Sequence, residues 1–340
     1  MTKYELPPLR PDLAVCPRCG DDANGRIGIH SHQERRYKCH RCGKTFSDTQ
    51  GTPLFGLKRP IWQVIVVLTL LAYGCPVPAI VAAFGLDART VWEWRRKAGV
   101  RAKQVQETLV CAGQVEVGQV QGDEFYLKTQ CGAVWVATAM SVFSRLFLWG
   151  AVSIERNTAL VSQVVTHVKA AAQPDQPILW AVDGFGAWTQ AILHLFRRPH
   201  YSGQPGRPKL VVWPQLHIVQ VVKRTIGRRL VAVERRLVHG IQQNAEALVY
   251  ATQVGCGCFN TAYIERLNAT FRGWLPIASR RSRTPAARRC QVEAALFWTG
   301  VVYNFCHVHA SLQATPAMAA GLTDSVWSID QLLRYRVRRE

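Results

Sequence analysis

The sequence predicts an α/β domain with a mixed sheet, preceded by a small zinc ribbon and an all-α helix-turn-helix module. Two closely spaced cysteine pairs open the chain, an amphipathic helical stretch follows, and then apolar strand-like runs alternate with helix-like ones. With 340 residues the chain can bury a sizeable core and has room for two or three such units.

Residues 1–52 hold Cys16-Pro-Arg-Cys19 and Cys39-His-Arg-Cys42, separated by a hairpin-like stretch with Asn24-Gly25. Four thiolates offered as two Cys-x-x-Cys pairs suit tetrahedral Zn²⁺, which substitutes for the core that so short a segment cannot build. A redox motif would need one pair only. His30, His32 and His40 are surplus to a complete four-cysteine set. Cys75, Cys111, Cys131, Cys290 and Cys306 sit in apolar surroundings and read as small hydrophobes, and Cys256 and Cys258 flank a glycine in a loop.

Residues 58–100 read as helices. Ile61 to Ala72 is an apolar run too short to span a bilayer. Val77 to Lys97 gives a helix, a turn at Gly85 and a second helix capped by Asp87. Arg89, Arg95, Arg96 and Lys97 lie on that second helix beside apolar Val91 and Trp94, so one face is expected to pack while the other meets a DNA groove. Residues 101–114 are polar and weakly patterned, as a linker would be.

From residue 115 to 310 the pattern is that of the larger domain. Gly118 to Leu127, Val134 to Ser141 and Leu146 to Ser153 read as strands, Asn157 to Ala171 as a helix, Ile178 to Val182 as a buried central strand, and Ala187 to Phe196 as a helix. Around 197–258 comes a basic insertion in which Lys223, Arg224, Arg228 and Arg229 are interleaved with apolar residues, with Glu234 the single acid between Leu195 and Gly240. Thr261 to Leu275 and Gln291 to Val308 read as helices. Residues 311–340 form a tail anchored by Trp327, Leu332 and Leu333.

Against 42 Lys and Arg stand 22 Asp and Glu, a formal charge of +20. Such a chain favours a polyanion, through phosphate neutralisation and counterion release. Double-stranded DNA is the expected partner. The basic residues form no juxtamembrane cluster, and no apolar signal core opens the chain, so no membrane partner is expected and the expected location is cytoplasmic, on the nucleoid.

Three acids stand out by position. Asp123 lies in the first strand of the larger domain, Asp183 ends its central strand, and Glu265 sits on a later helix. Arg266, Asn268, Arg272, Arg280, Arg281 and Arg283 follow Glu265, with no acid before Glu293. Carboxylates from separate elements can hold Mg²⁺ or Mn²⁺ for phosphoryl transfer, with arginines against the substrate phosphates. Glu124 adjoins Asp123, but strand alternation assigns the two to opposite faces, and Asp123 is the chosen ligand.

Three segments carry a resemblance: Val120-Gln-Gly-Asp123-Glu-Phe-Tyr, Ala181-Val-Asp183-Gly-Phe-Gly-Ala-Trp and Tyr263-Ile-Glu265-Arg-Leu-Asn268-Ala-Thr-Phe-Arg272. With the tail Tyr303-Asn-Phe-Cys-His307-Val-His309-Ala-Ser-Leu, they resemble the catalytic blocks of DDE-type insertion-sequence transposases that carry an N-terminal zinc ribbon and helix-turn-helix. The resemblance implies an RNase H-like catalytic fold, Asp123, Asp183 and Glu265 as ligands of Mg²⁺ or Mn²⁺, structural Zn²⁺, cleavage at transposon ends and transfer of the 3′-hydroxyl into target DNA. It also implies a homo-oligomer, at least a dimer on DNA, because two ends must be held together. A catalytically inactive DNA-binding regulator and a metal-dependent nuclease without strand transfer are the alternatives.

Overall fold

The computed structural model describes residues 8–21, 25–201, 207–227, 229–253, 257–275, 277 and 288–337. Arg228, Arg280, Arg281, Arg283 and Cys256, all singled out above, lie outside them.

At the N-terminus, β1 (Ile27–Ser31), β2 (Arg36–Cys39) and β3 (Thr45–Ser47) form an antiparallel sheet in that order. Its core is small: Leu9, Ala14, Ile27, Tyr37 and Phe46 around the buried cysteines. Each cysteine pair ends in a left-handed glycine, Gly20 at φ +69° and Gly43 at φ +70°. Their N–H groups donate to the carbonyls of Cys16 (3.0 Å) and Cys39 (2.9 Å), so each pair closes as a tight knuckle.

Three helices come next. Pro60 starts α1 (Ile61–Ala72) and Pro76 starts α2 (Val77–Phe84), which ends at Gly85 with φ +58°. Asp87 caps α3 (Ala88–Val105) by accepting from the Arg89 N–H at 2.8 Å. This third helix outruns the expected Lys97 end, because its buried stripe of Val91, Trp94, Arg95, Ala98, Gly99, Ala102 and Val105 keeps helical spacing to the last residue.

The expected linker is therefore structured and buried in part. After α3 a π-helical turn spans Gln106–Val110, and the buried Gln106 amide donates to the carbonyls of Phe147 and Leu148, both at 2.8 Å. One apolar core runs from Leu54 and Leu68 through α3 into the sheet, so the helices do not form a detached unit.

Further strands are β4 (Gln119–Thr129), β5 (Gly132–Ser141), β6 (Phe147–Ser153) and, after α4 (Thr158–Ala171), the short β7 (Ile178–Val182). Beyond α5 (Gly186–Leu195) lie β8 (Arg197–His200) and β9 (Lys209–Val212), a separate two-stranded ribbon, then β10 (Leu216–Ile226) and β11 (Arg229–His239). The main sheet has the order β11-β10-β7-β4-β5-β6. Strand β5 is antiparallel to both β4 and β6, β7 is parallel to both β4 and β10, and β11 is antiparallel to β10. Much of the supposed insertion thus belongs to the sheet itself, while the far ends of β10 and β11 project into solvent.

Helices α4 and α5 cover the sheet face that carries Val120, Ala137 and Trp180. The opposite face, with Phe125, Leu127 and Val219, is covered by α6 (Gln242–Thr252), α7 (Ala262–Trp274) and part of α8 (Arg289–Phe305). Helix α8 also meets α3 at Gly99, whose missing side chain lets the Ala294 backbone approach. The tail folds as α9 (Pro316–Ala319) and α10 (Ile329–Arg334), with Leu332 and Leu333 buried in the main core. At the end of α10, Arg334 bonds Asp48 at 2.7 Å, and just past it Arg336 bonds the Val15 carbonyl at 2.6 Å, tying this segment to the cysteine module. Cys131 and Cys290, expected among apolar neighbours, are exposed.

Candidate metal and nucleic-acid sites

The cysteine module meets the geometric demand of zinc. Cys16 Sγ lies 3.7 Å from Cys42 Sγ, and Cys19 Sγ lies 3.7 Å from Cys39 Sγ. Four sulfurs at about 2.3 Å from a tetrahedral centre are roughly 3.8 Å apart, and both of these spacings match that value. All four ligand atoms fall in one group that could hold a metal ion.

A second such group lies where β7 ends. Strand β7 pairs with β4 only as far as Ala181 opposite Gln121, after which the chain turns away at Asp183 and leaves β4 without a neighbour on that side. Asp123 belongs to the face that carries Phe125 and α7, and Glu124 to the face that carries α5. Both carboxylates reach round the end of β7, and oxygens of Asp123, Glu124 and Asp183 lie within 4.8 Å of one another. Glu124 is thus a member of the group, contrary to the alternation argument, because at a strand end the two faces are no longer separated by backbone.

Each member is held. The Asn268 amide donates to Asp123 Oδ2 at 2.9 Å, and Thr138, paired with Asp123 across β4 and β5, donates its hydroxyl to Asn268 Oδ1 at 2.7 Å. Glu124 accepts from the Trp188 indole at 2.8 Å and from Arg156 Nε at 2.7 Å. Asp183 caps its own turn by accepting from the Phe185 N–H at 2.9 Å, and Arg156 reaches it at 3.8 Å. Gln121 fixes α7 to the site, since its side-chain oxygen accepts from the N–H groups of Tyr263 (3.0 Å) and Ile264 (2.9 Å) at the start of that helix.

The electrostatics are those of crowded carboxylates. Burial raises the Asp123 carboxyl to about 6; the Asn268 bond opposes the rise, and the charges of Glu124 and Asp183 add to it. Asp183 is raised too, by burial and then by Glu124, with the Phe185 N–H and Arg156 pulling the other way. Arg156 supplies one positive charge to two of the three acids, Glu124 and Asp183.

Glu265 stands apart from this group. It is exposed on the first turn of α7, accepts from Thr261 Oγ1 at 2.7 Å and forms an ion pair with Lys223 of β10. Asn268, expected to contact DNA, is buried and spends its amide on Asp123. Arg95 is another correction: only 3% exposed, it lies 3.8 Å over the Trp92 ring, and burial lowers its pKa to about 9. Its position four residues after Val91 puts it on the buried stripe of α3.

The remaining candidates sit at the surface or near it. Arg89, Arg96, Arg224, Arg229 and Arg266 are exposed and Lys97 is half-buried. Arg96 pairs with Glu93 at 2.7 Å, Arg224 with Glu234 at 3.0 Å, and Arg272 lies 4.9 Å over the Phe125 ring. Sequence reasoning missed Arg156, Trp188, Gln121 and Thr138; the adjacent Asp-Glu pair was the one visible signal for Glu124. No helix among the described residues is long and apolar enough to cross a membrane.

No family model matches the chain, and neither does any curated protein. Among solved structures, the chain is similar to a piggyBac transposase in a synaptic complex with hairpin DNA, with a TM-score of 0.36 and 9% sequence identity over 81% of this chain and 69% of that one.

Proposed function

We propose that the chain is a DNA transposase that binds transposon ends and catalyses divalent-metal-dependent phosphodiester cleavage and 3′-hydroxyl strand transfer. The observation that carries the reading is the convergence of the Asp123, Glu124 and Asp183 carboxylates at the end of β7. Three antiparallel strands followed by two parallel ones, with helices on both faces, support an RNase H-like catalytic domain. The net charge of +20 supports a DNA partner.

The donor set fits Mg²⁺ or Mn²⁺, which take hard oxygen ligands from a few carboxylates and otherwise keep water. Asp123, Glu124 and Asp183 would hold such ions, and the chemistry supplied is polarisation of the phosphate and activation of the attacking oxygen. Asn268 keeps Asp123 oriented and favours its ionised form. Trp188 and Arg156 fix Glu124 from the opposite side. Glu265, the third acid of the family pattern, joins the group only after its pair with Lys223 opens. Two subunits would hold two ends.

The Lys223 pair also favours a second reading, a DNA-binding regulator in which Glu265 never reaches the other acids. Labelled DNA bearing the element's ends, incubated with Mg²⁺ or Mn²⁺, separates them. Cleaved and joined products that vanish in Glu265→Gln while binding persists support the transposase. Cleavage without joining indicates a nuclease, and binding without products indicates the regulator.

A further inference from the structure

The turn between β5 and β6 places a charged residue in a conformation that side chains avoid. Arg145 has φ +59°, in the left-handed region, where glycine or asparagine is the usual occupant. Strain of this kind persists only where the surroundings impose it, and it collects at functional positions. Here the surroundings are explicit. The guanidinium donates to the Val142 carbonyl and lies 4.1 Å over the Tyr263 ring, and Tyr263 is itself pinned to Gln121 through its backbone.

Two other basic side chains accompany it. Arg266, three residues after Tyr263, shares its flank of the helix, whereas Glu265 lies about 100° round the axis from Arg266. His309, beyond the end of α8, stands edge-on to the Tyr303 ring at 6.4 Å and engages Ser311 Oγ through Nδ1 at 3.0 Å. Burial lowers its pKa, and the charged groups that lower it further are Arg145, His307 and Arg266, all of them basic. Two guanidiniums on the Tyr263 flank of α7 offer the forked donors that match phosphate oxygens, and His309, whose Nδ1 accepts from the Ser311 N–H at 3.3 Å, adds a neutral imidazole with its proton on Nε2.

We propose that Arg145, Arg266 and His309 form a phosphate-binding site that grips a backbone phosphate of bound DNA on the flank of α7 away from Glu265. The DNA source rests on the functional reading above; the anion site rests on the cluster alone. Helix α7 then separates two tasks, with the acid group served by Asn268 and a strand grip served by Arg266.

Two measurements on the full chain test this. In the first, the thermal midpoint is followed in inorganic phosphate against chloride at matched ionic strength. Wild type is expected to gain stability with phosphate, as any ligand of the folded state confers, and Arg145→Asn, whose asparagine tolerates the left-handed backbone, is expected to lose that gain. Equal gains in both, or none in wild type, overturn the site. In the second, duplex binding is measured across a salt series. Arg145→Asn and Arg266→Gln are each expected to lower the slope of log affinity against log salt by about one, while Lys128→Gln, on the exposed end of β4, leaves it alone. Unchanged slopes in a wild type that binds duplex overturn the DNA grip and leave the wider reading standing. A phosphate response in a chain that binds no duplex overturns the DNA source and that reading with it.

Discussion

Asn268 donates its amide to Asp123 across a 2.9 Å hydrogen bond, and so joins the first turns of α7 to the acid group in the sheet. The bond favours the ionised carboxylate. Replacing Asn268 with Ala therefore raises the Asp123 pKa above its present value of about 6 and leaves the buried Thr138 hydroxyl without its 2.7 Å acceptor. We expect a loss of stability of about 1–3 kcal/mol, and an acid limb of the cleavage pH profile displaced to higher pH. Denaturant titration and the pH profile read the two effects separately; an unmoved limb would mean that the bond does not tune Asp123.

The raised Asp123 carboxyl also sets the pH dependence of stability and its link to cations. Because the folded pKa of about 6 exceeds the ordinary 3.8, the folded state holds the proton more tightly than the unfolded chain. Its contribution to stability is fully present below about pH 4 and is lost as pH rises through 6, by up to about 3 kcal/mol before solvent screening. A divalent cation bound by the ionised group restores stability where protons no longer compete. Mn²⁺ should thus raise the thermal midpoint at pH 7.5 and do so much less at pH 5. The same rise at both values would place the ion elsewhere.

Glu124 and Glu265 make opposite demands on a cation titration. Glu124, held by Trp188 and Arg156 within the acid group, should matter whether or not DNA is present. Glu124→Gln is expected to weaken Mn²⁺ binding about 10- to 100-fold in the free protein, a scale set by perturbed metal sites in general. Glu265→Gln should leave binding in the free protein unchanged, because its carboxylate is engaged by Lys223, and should act only once DNA is bound. Calorimetric titration with and without duplex distinguishes the two.

How far these features could be read in advance follows from the range of the interactions involved. Ile178 to Val182 is wholly apolar, and its limits as a strand were legible because a buried central strand needs no partner information. Asp87 and Gly85 marked the turn before α3 through local backbone chemistry. Glu124 was misassigned because the end of β7 is set by pairing between distant segments, and alternation keeps two carboxylates apart only where a neighbouring strand continues between the faces. The burial of Arg95 was in principle visible, since i and i+4 share a helix face, yet its charge argued for solvent. Arg156 lies in a loop between β6 and α4 and had no local pattern to mark it.

Gly99 offers a test of the helical packing that replaced the expected linker. A Cβ there would sit 2.3 Å from the Ala294 carbonyl oxygen and 2.6 Å from its Cα, both backbone atoms of α8 that cannot swing aside. Alanine favours an isolated helix over glycine by about 1 kcal/mol, but overpacking typically costs about 1–3 kcal/mol and here forces two helices apart. We expect Gly99→Ala to lower the thermal midpoint despite its better helix propensity. A raised midpoint would mean that α3 and α8 separate at little cost.

Zinc removal should act beyond the cysteine module because the chain end is bonded to it. Arg334 bonds Asp48 at 2.7 Å, and Arg336 bonds the carbonyls of Val15 (2.6 Å) and Asp48 (3.0 Å). With so small a core of its own, the module depends on the metal for its fold. Chelation, or Cys39→Ser, is therefore expected to abolish one bound Zn²⁺ per chain and to raise amide exchange both in β1 to β3 and in α10. The acid group lies in a separate core, so Mn²⁺ binding there should persist. Exchange confined to β1 to β3 would show that the arginine contacts do not couple the two ends, and intact exchange protection throughout would show that the fold of the module does not need the metal.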